Sequence, residues 1–91
     1  MCRIFNMYRI NPKILHTPIA DGKALLLEPE RGLYFELNEV SVVVFHCLKQ
    51  GKDTQTILEE IVNTFNVSKD EAQSDLMELI EQLTVNNILL N

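Results

Sequence analysis

This 91-residue sequence predicts an α+β fold of winged helix-turn-helix-like outline: a three-stranded antiparallel β-meander followed by three α-helices. Three observations lead there. Between Leu33 and Leu37 apolar and polar residues alternate, which is the period of a half-buried strand. After Asn38 the apolar residues recur instead every three or four positions, the period of amphipathic helices. Two glycine-containing turns, at 20–23 and 29–32, cut the preceding stretch into short strands.

The first strand is expected at 13–16, where Ile14 and His16 alternate with Lys13 and Leu15 between Pro12 and Pro18. Proline lacks an N–H for the ladder, so it usually flanks a strand. Asp21-Gly22 then suits a tight hairpin turn, because both residue types tolerate positive φ. The second strand, 24–28, is almost continuously apolar, as expected of a central strand covered on both faces. Pro29 to Gly32 form the second turn, of type I pattern, and the third strand at 33–37 becomes one edge of the meander.

That edge strand runs directly into the first helix, expected over about 38–50. The Asn38 side chain can accept an N–H of the first turn, and Glu39 complements the positive helix end. Val42, Val43 and Val44 favour strand locally, but they lack alternation, and Gly51 provides a helix stop. The second helix is expected at 54–65 from the stripe Ile57, Leu58, Ile61, Val62 and Phe65. The third begins at a Ser68–Glu71 capping box with Val67 as a staple onto Ala72. Its apolar face is Ala72, Leu76, Leu79, Ile80 and Leu83. Asn86-Asn87 end it, and Ile88, Leu89 and Leu90 fold back as an apolar tail. Residues 1–12 form a poorly defined N-terminal segment, with no clear pattern over 1–6, ahead of a single domain at 13–91. Met7 is a candidate alternative start.

Composition narrows the function classes. The first residues lack the apolar core of a secretory signal, and no apolar run nears the roughly 18 residues of a membrane span. Cys2 and Cys47 form neither a metal-ligand spacing nor a disulfide framework, so a cytoplasmic setting is expected. Residues 1–23 carry a charge of +3 and residues 24–91 carry −8. An acidic helical part is a poor match for a phosphate backbone, so nucleic acid is not the expected partner.

No catalytic constellation emerges. His46 and Cys47 are adjacent on a helix, so their side chains diverge by about 100° and cannot form a nucleophile–base pair. No glycine-rich phosphate loop and no zinc-type cluster is present, and no cofactor is implied. Carboxylates one turn apart, such as Asp75 with Glu71 or Glu78, read as a solvated flank. The expected function is binding, not catalysis.

The strand edge at Leu33–Leu37 is the expected binding surface. An open edge must be protected or accept another strand, and Glu36 is the only charge within it. An extended peptide could pair there through main-chain hydrogen bonds, with pockets reading alternate side chains. Should the third helix stand beside that edge, Leu33, Phe35, Leu76, Leu79 and Ile80 would supply apolar walls, with Asp75 open to a basic or polar group. The same edge could pair with a second copy, giving a homodimer. The alternative is a winged-helix DNA-binding or regulatory domain, disfavoured by five acids against Lys69 on the third helix.

Residues 20–48 and 56–89 resemble the PqqD family. The features that carry the resemblance are the Asp21-Gly22 turn, the strand ending in Leu37-Asn38, and the stripe Ile57, Ile61-Val62, Phe65. Ala72, then Asp75-Leu76, ahead of the terminal Ile88-Leu89 complete it. The resemblance implies a non-catalytic recognition element that binds a precursor's leader as an added strand between the third strand and third helix. It then presents the precursor to a modifying enzyme, a radical SAM protein in quinone pathways or a leader peptidase in lasso-peptide pathways. The lasso type is favoured by the form of the 30–38 stretch. Carried onto this chain, the peptide-binding residues would be Leu33, Tyr34, Phe35, Glu36 and Leu37 on the strand. On the helix they would be Asp75, Leu76, Leu79 and Ile80.

Overall fold

The computed structural model describes residues 8–90. Cys2, Arg3 and the alternative start at Met7 lie outside them. The elements run β1 (Arg9–Ile10), β2 (Leu15–Pro18), a 3-10 turn (Ala20–Gly22), β3 (Ala24–Glu28) and β4 (Leu33–Leu37). They continue with α1 (Glu39–Lys49), α2 (Thr54–Phe65), α3 (Lys69–Val85) and β5 (Leu89–Leu90). β2, β3 and β4 form the expected antiparallel meander with β3 central.

The first strand of that meander lies further on than its alternation suggests, at Leu15–Pro18, not 13–16. Pairing with β3 decides this: Leu15 sits opposite Leu27 and Pro18 opposite Ala24. Pro18 is tolerated because it ends an edge strand. In the following turn Asp21 (φ 63°) and Gly22 (φ 74°) both adopt left-handed backbone, as the Asp-Gly pair anticipates. A Cβ on Gly22 would lie 3.3 Å from Cγ of Glu39, so glycine also allows the turn to pack on the start of α1.

Register sorts the sheet into two faces. Ala24, Leu26 and Glu28 of β3 are buried toward the helices, in rows with Leu37, Phe35 and Leu33 of β4. Leu15, Leu27 and Tyr34 make a row on the outer face. There Leu25 and Leu27 are half-buried, so the central strand is covered fully on one side only.

The helices follow local chemistry closely. Asn38 Oδ1 accepts the Ser41 N–H (2.9 Å), Asp53 Oδ1 the Thr56 N–H (2.9 Å), and Ser68 Oγ the Glu71 N–H (3.1 Å). The valine run is helical: Val44 is buried in the core, and tertiary burial outweighs its local strand preference. α1 packs on α2, and α2 on α3. Phe45, Leu26, Leu37, Ile57, Ile61 and Leu83 are among the fully buried side chains.

The apolar tail does fold back, as a strand. Leu90 and Leu89 of β5 pair antiparallel with Arg9 and Ile10 of β1. Two residues of the N-terminal stretch therefore join the fold. Asn11 extends the tie, donating its N–H to the Ile88 carbonyl (2.8 Å) and its side-chain amide to that of Asn87 (2.9 Å).

Candidate peptide-binding groove

β4 hydrogen-bonds to β3 on one side, and among the described residues no strand pairs with its other side. Beyond that free edge lies a cleft of about 420 Å³. Phe35 and Glu36 line it from β4, and Asp75, Leu76, Leu79 and Gln82 from α3. α1 closes one end with Val40, Ser41 and Val44, beside Asn38 and Lys23. A strand edge thus faces a helix across open space, which is the geometry an added strand requires.

The nine residues anticipated from sequence separate by depth. Phe35, Glu36, Asp75, Leu76 and Leu79 meet at the cleft. Leu76 (2% exposed) and Leu79 (9%) show it little more than an edge of their side chains, so they are wall and core together. Leu37 and Ile80 are buried in the core, where they support the walls. Tyr34, 69% exposed, turns to the outer face of the sheet, and Leu33 is exposed at the strand's start. Lys23, Asn38, Val40, Ser41, Val44, Glu78 and Gln82 were not anticipated. Strand alternation and helical stripes identify faces of single elements, and these residues arrive from a turn and two helices through tertiary packing.

The cleft is weakly acidic. Glu36, Asp75 and Glu78 make no ion pair or side-chain hydrogen bond among the described residues, against the single cation Lys23. Away from it, His16 meets Phe45 edge-on (5.3 Å between ring centres) and His46 (5.9 Å). Burial, then the charges of Lys49 and His46, hold the His16 imidazole below its ordinary range. Burial pushes the Cys47 thiol up, away from a reactive thiolate. Among the described residues no group of three or more His, Cys, Asp and Glu is placed to hold a metal ion. No helix is long and apolar enough to cross a membrane.

The family model described as Coenzyme PQQ synthesis protein D (PqqD) matches residues 23–89. The fold is similar to that of TbiB1, solved in complex with the TbiA(beta) leader peptide. The TM-score is 0.80 at 25% identity, over 89% of this chain and 93% of that one. It is also similar to a lasso peptide synthetase B1 complexed with the leader peptide. There the TM-score is 0.83 at 22% identity, over 93% and 99% of the two chains, a likeness of fold. No curated protein matches the sequence significantly.

Proposed function

This chain belongs to the PqqD family, and from that premise we propose that it binds the leader region of a ribosomally made precursor peptide. The leader adds as a strand to the free edge of β4 and is presented to a modifying or leader-cleaving enzyme. The observation that carries this reading is the cleft between β4 and α3, which puts a free row of main-chain donors and acceptors opposite a helical wall of mixed polarity, Asp75, Leu76, Glu78, Leu79 and Gln82. The likeness to TbiB1 in complex with a leader peptide supports it.

The main chain of Leu33–Leu37 supplies the ladder. Phe35 and Glu36 flank it, and Asp75, Leu76 and Leu79 form the facing wall. Leu37 and Ile80 hold those walls from behind, while Leu33 and Tyr34 contribute main chain and edge. The protein itself is non-catalytic, acts in the cytoplasm, and works in a lasso-type pathway whose partner is a leader peptidase. That preference over a radical SAM partner follows from the form of the 30–38 stretch and is supported by the likeness of fold to a lasso peptide synthetase B1. The DNA-binding alternative is opposed by charge, since Asp70, Glu71, Asp75, Glu78 and Glu81 of α3 would repel phosphates.

The test is a fluorescence-anisotropy titration with the leader of the precursor encoded beside this gene, at two salt concentrations. Saturable binding that survives added salt, and is weakened at least tenfold in folded Phe35→Asp, is expected. Wild-type affinity in that folded variant would overturn the groove assignment. DNA binding that falls steeply with salt, without leader binding, would move the function to the alternative. Light scattering in the same series decides whether a second copy competes for the β4 edge.

A further inference from the structure

The β3–β4 turn is joined to the far end of α3 by one side chain. Arg31 donates its Nε to Glu28 Oε1 (2.6 Å) and its own N–H to Glu28 Oε2 (3.1 Å). Its Nη2 then donates to the Asn86 carbonyl (2.8 Å), 55 residues further along the chain. Glu28, 7% exposed, is the buried charged residue of the described fold, and it anchors the guanidinium. Asn86 is the C-cap of α3, where unpaired carbonyls and the negative helix end favour a cation. A planar guanidinium can fork between carboxylate and carbonyl at once, whereas an ammonium cannot hold the same two directions.

The position of this bridge matters more than its strength. The groove's walls are β4 and α3. α1 and Lys23 border one end, and Gln82 lines the cleft one turn before the Arg31 contact at Asn86. Among the described residues, the Arg31–Asn86 bond is the hydrogen bond that connects the hairpin to α3 and its cap. β4 packs mainly on β3 and α1, and α3 mainly on α2 and β5. Without the bridge, the spacing between the walls at the Gln82 end would depend on contacts made elsewhere.

We propose that Arg31 is a positioning residue for leader binding: it holds the β3–β4 hairpin and α3 at the separation an added strand needs, without touching the peptide. This rests on the leader-binding reading above. Apparent affinity scales with the fraction of molecules whose groove is already at the right width. If loss of the bridge leaves roughly a tenth of molecules competent, Kd rises about tenfold.

The experiment compares wild type, Arg31→Ala, Arg31→Lys and a control, Leu58→Ala, which removes core packing in α2 away from the groove. Each is titrated with the fluorescein-labelled leader of the neighbouring precursor, and melting is followed by circular dichroism. Amide hydrogen exchange is measured on each free protein. Both Arg31 variants are expected to bind about tenfold more weakly, while Leu58→Ala melts at least as early yet binds as wild type does. Exchange should quicken at 33–36 and 82–86 in the Arg31 variants alone. Wild-type affinity in either Arg31 variant, or an equal loss in Leu58→Ala, would overturn the proposal. A wild-type protein that binds no leader overturns the leader reading itself. In that case unchanged exchange at 33–36 and 82–86 in Arg31→Ala removes the bridge as well, and faster exchange retains it as the determinant of groove width.

Discussion

β2 and β4 flank the same central strand, and each has one side without a partner strand among the described residues. Their surroundings differ. β2 is four residues long and ends in Pro18, which brings no N–H to its edge, and its inward His16 packs on Phe45. β4 has five residues and no proline, and α3 stands across a cleft from it. Free main-chain groups are common to both strands. A second wall across a cleft belongs to β4, and on the proposed function that wall makes the exposed edge a docking surface where it would otherwise be an aggregation hazard.

Truncating inward and outward leucines tests the comparison at its coarsest. Leu37→Ala empties a fully buried position and should cost about 2–5 kcal/mol of stability. Leu15→Ala on β2, 54% exposed, should change stability by less than about 0.5 kcal/mol. Chemical denaturation of both variants measures the difference. Similar losses would mean that the two edges are equally embedded.

Proline scanning of β4 addresses the main chain. Successive residues of an antiparallel strand direct their N–H groups to opposite sides, so substitutions at 34, 35 and 36 should fall into two classes. Where the N–H faces β3, proline removes a ladder bond and should lower the melting temperature. Where it faces outward, the fold should hold while leader affinity drops by roughly an order of magnitude, the equivalent of about one lost hydrogen bond. A scan in which every variant either unfolds or binds normally would break the strand-addition model.

Smaller effects sharpen the same picture. Asn38 caps α1 where β4 ends, so Asn38→Ala should cost about 1 kcal/mol by denaturation while the strand edge stays intact. Glu28 provides a pH-dependent arm. The Arg31 side-chain hydrogen bond holds its carboxyl below the ordinary value near 4.5, against the opposing effect of burial. A depressed folded value gives stability that is complete above the unfolded value and is lost as pH falls through the folded one. Wild type should therefore lose stability below about pH 4.5 more steeply than Glu28→Gln, as acid titration by circular dichroism would reveal. The Lys13–Glu30 ion pair is exposed on both sides, and Lys13→Ala should leave the melting temperature almost unchanged.

The residues that were legible in sequence are those whose cause is local. Asn38 and Ser68 each sit where a side-chain oxygen can reach an N–H three residues on, so their helices begin where cap chemistry says. The α2 stripe and the β4 alternation identify buried faces because side-chain direction follows from backbone period alone. The same reasoning could name Leu76, Leu79 and Ile80 as an inward face of α3, but not which of them would reach a cleft.

What the sequence by itself determined is the order and type of the helices and of β3 and β4, the inward faces of α2, α3 and β4, and an acidic, constellation-poor character suited to binding. Tertiary structure alone decided the rest. Arg9–Ile10 and Leu89–Leu90 are too short to show a period, and about 80 residues separate the partners, so only the closed fold selects their pairing. The shift of β2 to Pro18 comes from register with β3, not from its own alternation. The groove follows the same logic: Lys23, Val40 and Ser41 enter it because a turn and the start of α1 are packed beside β4. Arg31 reaches Asn86 because the hairpin and the end of α3 are brought together. Periodicity describes one element at a time, whereas a site between elements exists only once burial has fixed their distances.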